Sequence, residues 1–409
     1  MPFASPSSEM DERYRSYAAR FEKTVAPFAW LDLDAFDANV ATLRAAAGAK
    51  LVRIGSKSLR SRWVMRRILE SGSPFRGILA MSAREACWLA AQGLSDIVVA
   101  YPQSHASELS GIERAMLAGA SITLMADLPF HLDLYESYAK AMQVTLSVAL
   151  DLDVSSDFRV VYFGVRRSAI KSTKDLHRIL AARTKWPHLR FDGLMAYEAQ
   201  IAGVRDHTGQ ASKDRAVALM KRRSMSQVLE RRAEAVACAV KHDLPLRFVN
   251  GGGTGSLHFT SNDPSVTEVT VGSGFYAPAL FDGYDGLSLV PAAGFALRVT
   301  REPEKGIVTC TGGGYPASGP AGLDRLPLPY LPSGLELLPL EGAGEVQTPL
   351  RKGPKVGRSA KNLEVGDLVF FRHRKGGELC ERFGELHGFS GSEKPYVIPT
   401  YRGEGRSFV

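Results

Sequence analysis

The chain has 409 residues, more than one ordinary domain holds, and its length points to two or three domains. Hydrophobic residues make up 45% and charged residues 23%, a balance that excludes a disordered or fibrous chain and leaves material for a sizeable core. The 51 Lys and Arg exceed the 43 Asp and Glu by eight, but the charges are scattered rather than blocked. Such a field favours small anions such as phosphates and carboxylates, and no nucleic-acid partner is expected.

Four cysteines (Cys87, Cys238, Cys310 and Cys380) lie far apart without CxxC pairs, which argues against a disulfide framework and fits a reducing, cytoplasmic setting. The N-terminus has no apolar signal core, and no apolar run is long enough to span a bilayer, so no membrane association is expected. The densest basic run, Lys221 to Arg232, carries Met225, Val228 and Leu229 at helical spacing and reads as the wet face of a helix.

In chain order, residues 1–27 form a polar, helical start expected to associate with a later β-domain. Phe28 to Leu33 reads as a strand running into a helix, with Asp34 as its N-cap. Strand-like and helix-like segments then alternate: LVRIG, FRGILAMS, DIVVAYP, SITLMAD, VTLSVALDLD, LRFDGLMAYEA, a long helix from about Lys213 to His242, LRFVNGGG and VTEVTVGSG. Runs such as ILAM, IVVA and ITLM are apolar throughout rather than alternating, as parallel strands buried on both faces must be. Eight of them within residues 28–290 predict a (β/α)8 barrel. Past residue 290 helical periodicity fades and proline and glycine become frequent, so 291–409 reads as an antiparallel β-domain.

The ends of barrel strands are where chemistry collects. Lys57 follows LVRIG, Arg159 lies beyond VTLSVALDLD, and Tyr197 and Gln200 follow GLM. Two glycine-rich stretches, Gly251 to Ser256 and Gly272 to Tyr276, follow the last two strands. Glycines let backbone N–H groups approach an anion, and Thr254 and Ser256 add hydroxyl donors; a plain glycine turn is the other reading. A lysine at a strand end is ordinarily a solvated charge. Beside an arginine and a phosphate cradle it suggests a Schiff-base lysine for pyridoxal phosphate, its amine kept neutral by desolvation or by cations such as Arg53 and Arg60. A barrel aldolase acting on a ketose phosphate is the rival reading of the same residues.

The succession LDLDAF, VRIGSKS, GLMAYEAQIAG, GGGTGS, GSGFY and FFRHRKGGELCERFGELHGF, over about residues 25 to 390, resembles the alanine racemase-like, fold-type III pyridoxal phosphate enzymes. Within them it is nearest the D-threonine aldolase and D-serine dehydratase branch. The resemblance implies that Lys57 forms the Schiff base and that Arg159 lies near the cofactor's phenolic oxygen. Tyr197 would line the ring, while Gly252, Gly253, Thr254, Gly274 and Tyr276 would hold the phosphate. It also implies a head-to-tail homodimer and a small amino acid as substrate.

One departure stands out. The branch binds a divalent metal through a His-x-Asp or His-x-Cys pair near the C-terminus, whereas the matching stretch here reads Arg372-His373-Arg374-Lys375. A protonated lysine cannot ligate a metal, so no catalytic metal is expected unless a shifted alignment recruits Cys380 or His387 beside His373. Lys375 would then polarise the substrate as a fixed cation, with His373 as acid or base. The expected activity is aldolase-type cleavage or formation of the Cα–Cβ bond in D-configured β-hydroxy amino acids. Dehydratase or racemase activity stands behind it, and a non-catalytic cofactor-binding protein is the reading from another class.

Overall fold

A computed structural model describes residues 6–158, 161–354 and 356–409 of the chain. In chain order its first strands are β1 (Phe28–Asp32), β2 (Leu51–Gly55), β3 (Phe75–Ala80), β4 (Ile97–Val99), β5 (Ile122–Ala126), β6 (Leu146–Asp151), β7 (Ser156–Asp157), β8 (Tyr162–Phe163), β9 (Leu189–Met195), β10 (Phe248–Gly251) and β11 (Glu268–Val271). Eight of them close into a parallel barrel in the order β10–β11–β2–β3–β4–β5–β6–β9, the expected (β/α)8 architecture. Every residue of β5 and β6 is buried, which is why these runs never alternate.

The barrel interior is packed rather than hollow. Val98, Met125, Ala149, Met195 and Phe248 form one layer. Beneath the cavity, polar groups run down the barrel. Thr270 Oγ1 donates to Asn250 Oδ1 (3.0 Å), and Asn250 Nδ2 donates to Glu268 Oε1 (2.8 Å). Arg53 then closes a fork on Glu268 (2.7 and 2.8 Å) and reaches the Asp96 carbonyl (2.9 Å). A buried bidentate pair of this kind satisfies charges that would otherwise be costly inside a barrel. Arg53 therefore braces the base of the barrel instead of tuning Lys57.

The C-terminal region is an antiparallel sheet, with one departure from expectation. β1 is not a barrel strand. It lies inside the C-terminal sheet, antiparallel to Ala293–Glu304 (Ala29 opposite Phe295) and parallel to Glu385–Phe389 (Trp30 opposite His387). The sequence cannot separate these possibilities, because burial on both faces reads the same in either sheet. The helix that follows, Leu33–Ala47, is capped by Asp32, whose Oδ1 accepts from the Ala35 N–H (3.0 Å). Asp34 instead accepts from Ser390 Oγ (2.6 Å) and the Gly391 N–H (2.7 Å), which ties the helix start to the sheet. The N-terminal helix Pro6–Arg20 packs there too, with Tyr17 edge-on to Trp30 and Phe370.

The basic run on the long helix Ala211–Lys241 is not uniformly wet. Arg222 and Arg223 are exposed, but Lys221 is buried on Asp206 (2.7 Å) and Arg232 is fully enclosed. Among the described residues, no helix is long and apolar enough to cross a membrane.

Candidate active site

The C-terminal ends of the barrel strands open into a cavity of about 870 Å³, of the size usual for small-molecule sites. β2 ends at Gly55, and the chain turns into the short helix Ser56–Leu59, which carries Lys57 exposed into that cavity. Arg60, one residue past the helix, donates through Nε to the Lys57 carbonyl (2.9 Å) and pairs with Glu381. Its charge is thus neutralised away from the cavity. Tyr197, Gln200, Gly252, Gly253 and Thr254 also line the cavity. Burial pushes the Tyr197 phenol up to about 12, so it stays protonated.

The glycine loop stands on a network that the sequence did not reveal. Glu198, fully buried, accepts from the Gly252 N–H (3.0 Å), Ser256 Oγ (2.6 Å), Thr260 and Arg232. Arg232 also reaches Asp263 (3.1 Å) and the Ala196 carbonyl (2.6 Å). Burial works against ionisation of Glu198, but Arg232 and the three donors outweigh it, and its carboxyl is held below the usual range. The loop's glycines answer to this packing. Gly252 sits at φ +88°, a conformation that favours glycine, and a Cβ on Gly255 would overlap Tyr284 and the Ala202 carbonyl. The N–H groups of Thr254 and Gly255 open the short turn Thr254–Ser256 at the cavity wall, and Ser273 lines the facing loop.

Two expected phosphate ligands lie elsewhere. Gly274 does not line the cavity; its N–H donates to Thr254 Oγ1 (3.1 Å). Tyr276 is fully buried and donates to the Leu59 carbonyl (3.2 Å), so it braces the lysine's helix from behind. Arg159 falls outside the described residues. Arg167 does reach the cavity beyond β6, held by Asp151 (2.7 Å) and the Ala100 carbonyl (3.1 Å), with its guanidinium near the rings of Tyr101 and Tyr197. Burial drives the Asp151 carboxyl up to about 6 despite Arg167.

The C-terminal sheet supplies one side of the cavity through the segment after the strand Leu368–Arg372. Arg372 forks onto Asp282 (2.8 Å to each oxygen), and the Ala279 and Leu280 N–H groups donate to the carbonyls of His373 (3.1 Å) and Arg374 (3.0 Å). The turn at Gly376 and Gly377, with Gly377 at φ +104°, lies so close to Ser273 and the Lys57 carbonyl that no side chain fits there. Lys375 is therefore delivered into the cavity. Burial, and then the Lys57 ammonium, hold Lys375 below the usual lysine range, although Glu378 opposes the shift.

His373 does not share that cavity. It is buried among Phe295, Tyr315 and Phe383, lining a separate small void; among the described residues neither ring nitrogen makes a well-formed hydrogen bond, and its polar neighbour is the Ala293 backbone. Burial, with Arg372 beside it, holds the imidazole down to about 3. Cys380 is equally enclosed, its thiol beside the Tyr276 hydroxyl and pushed up by burial to about 12. His387 lies on the strand Glu385–Phe389, between Phe21 and Phe28. No His, Cys, Asp or Glu lines the Lys57 cavity among the described residues, so its donor set does not fit a divalent ion.

No protein-family model matches the chain. Among curated proteins it is similar to two 3-hydroxy-D-aspartate aldolases. One, from Paracoccus denitrificans strain Pd 1222, is 25% identical over 245 residues, and one from Paracoccus denitrificans is 25% identical over 247. Each alignment covers 59% of this chain, and the match spans 58% of the length of either relative. Among solved structures, D-threonine aldolase from Filomicrobium marinum superposes with a TM-score of 0.77 at 18% identity, over 93% of this chain and 96% of that one. The fold is that of the alanine racemase-like, fold-type III enzymes. D-threo-3-hydroxyaspartate dehydratase from Delftia sp. HT23 (TM-score 0.71, 16% identity, 93% and 98% covered) and alanine racemase from Clostridium difficile 630 (0.62, 13%, 92% and 99%) share it. The resemblance read from the sequence, to the D-amino acid branch of these enzymes, therefore holds.

Proposed function

We propose that the chain is a pyridoxal phosphate-dependent lyase that cleaves or forms the Cα–Cβ bond of D-configured β-hydroxy amino acids. One observation carries the reading. The cavity presents the amine of Lys57 together with Arg166, Arg167 and Lys375, and no carboxylate lines it among the described residues. Such a lining fits a phosphorylated aldehyde and an amino acid carboxylate, both anionic. The names of the relatives, aldolases of 3-hydroxy-D-aspartate and D-threonine, favour this reaction over its neighbours.

Lys57 would hold the cofactor covalently, with Thr254, Gly255 and Ser273 at its phosphate and Tyr197 and Arg167 beside its ring. When bound, the cofactor supplies an electron sink for the pair left at Cα when a bond there breaks. The chain does the rest, and the proton of the substrate's hydroxyl would pass to the amine of Lys57, the other amine at the cavity. Lys375, as an ammonium, anchors and polarises the substrate's hydroxyl or carboxylate, the part played elsewhere by a metal. His373, neutral and enclosed, takes no proton in this scheme. Tyr101, Tyr162 and Tyr284 line the same cavity and would limit the water that reaches the reacting carbon. The reading includes a head-to-tail homodimer, which light scattering of the purified protein checks.

The test has two arms. Purified protein should carry a visible absorbance band, and borohydride should fix the cofactor to the Lys57 peptide by mass. Loss of both in Lys57→Ala is required, and a band that survives the substitution defeats the assignment. Incubation with D- and L-β-hydroxy amino acids then separates the reactions. Glycine plus aldehyde supports the proposal, whereas keto acid plus ammonia means a dehydratase and the enantiomer alone a racemase.

A further inference from the structure

Away from the cavity, two helices on the outside of the barrel bring together three side chains that the scheme above does not use. His177 lies in the middle of the helix Thr173–Ala181, while Cys238 and His242 close the long helix Ala211–Lys241. The spacing of four puts Cys238 and His242 on one face, one turn apart. Thr173, one turn before His177, bonds Glu234, one turn before Cys238 (2.8 Å), so the two faces are packed in register. One ligand atom from each of His177, Cys238 and His242 lies within 4.8 Å of the other two. Nδ1 of His177 and Nε2 of His242 face each other at 2.9 Å.

We infer that His177, Cys238 and His242 form a binding site for a zinc-class divalent ion, two imidazoles and one thiolate with a fourth position left to water. The donor set is the one such ions prefer, the separations need modest adjustment, and the two rings, now hydrogen-bonded to each other, must turn so that both nitrogens face one point. Bonds of about 2.0–2.1 Å to nitrogen in a tetrahedron require nitrogens about 3.4 Å apart, so the imidazoles separate by about half an ångström. The sulfur side closes by roughly 1 Å, from at most 4.8 Å, to reach an N–S separation of about 3.6 Å. Cys238 releases its thiol proton as it binds. Arg183, whose Nη1 touches Nδ1 of His242 (3.3 Å), also donates to the Leu180 carbonyl (3.2 Å) and keeps that acceptor when the ring nitrogen takes up the remaining proton.

The site lies at the opposite end of the barrel from Lys57. Both helices end there before the chain re-enters the barrel at β9 and β10. A bound ion would thus staple two helices without touching the reaction, and it is independent of the proposed activity.

The test is a cobalt titration of the full-length, reduced, chelator-washed protein. One equivalent of Co2+ should produce a thiolate charge-transfer band with the visible bands of a tetrahedral ion, and Zn2+ should bleach both. The bands should vanish in Cys238→Ser and need at least tenfold more Co2+ in His177→Ala, an exposed position whose change leaves the fold intact. Cys87→Ser should leave them unchanged. An absence of thiolate bands in the wild type, their survival in Cys238→Ser, or their loss in Cys87→Ser overturns the site.

Discussion

The two sides of the cavity are held in opposite ways. On the barrel side, the glycine loop rests on Glu198, whose buried charge is met by Arg232 and three further donors. On the side of the C-terminal sheet, Lys375 stands half-buried beside a second lysine, and His373 is enclosed with neither nitrogen in a well-formed hydrogen bond. The first arrangement makes a rigid support, where each polar group has one place to be. The second leaves a cation in the cavity at an electrostatic cost, and a cost retained at a rim is the usual sign of a group kept for chemistry. The contrast teaches that the support and the cationic edge of this site come from different parts of the chain.

That contrast can be broken by substitution. The largest effect should come from Arg232→Met, which strands Glu198 and Asp263 as buried charges. A loss of about 3–5 kcal/mol is expected, read from urea unfolding, and a value below 1 would mean that the network is not a support. Next, Lys375→Met should lower kcat by about 10²-fold on the best substrate while the cofactor's absorbance is retained. The sign of its pH dependence comes from the lowered pKa. As pH rises, the ammonium is lost earlier than from an ordinary lysine, so activity should fall on the alkaline side, and Lys375→Arg should move that limb upward. Activity that instead rises through this limb would make Lys375 a base. A smaller loss, about 1–2 kcal/mol, is expected for Gly252→Ala at its positive φ, measured as a lowered Tm. Smallest of all, His373→Leu should change stability by less than about 1 kcal/mol and leave kcat intact, since at most a weak contact with the Ala293 backbone is lost; a collapse in kcat would return His373 to the mechanism.

Much of the fold and part of the site are legible in the chain alone, for reasons of unequal strength. The eight barrel strands announce themselves because burial on both faces permits only apolar residues. Lys57 is legible through its place after β2 and the glycine loops at the ends of later strands. Arg232 is not, because a buried arginine and a wet one look alike in a run of helical charges, and only the distant Glu198 tells them apart. Strand alternation would put His373 and Lys375 on one face, both at the cavity. The strand ends at Arg372, however, and the backbone then bends toward the turn at Gly376 and Gly377, so that alternation no longer applies. Arg167 hides in a loop with no pattern to mark it, although a pair of arginines stands just after β8.

The placement of β1 reaches beyond the site, to the order in which the protein is made. Residues 28–32 leave the ribosome before every barrel strand, yet the strands that flank them, Ala293–Glu304 and Glu385–Phe389, follow the whole barrel. Throughout synthesis of the barrel, an apolar strand must wait with both edges open, a hazard for aggregation. Closure of the sheet is then the late, long-range step that joins strands on either side of the barrel sequence. A nascent chain released after Val271 but before Ala293 would carry all eight barrel strands and a first strand with neither of its neighbours.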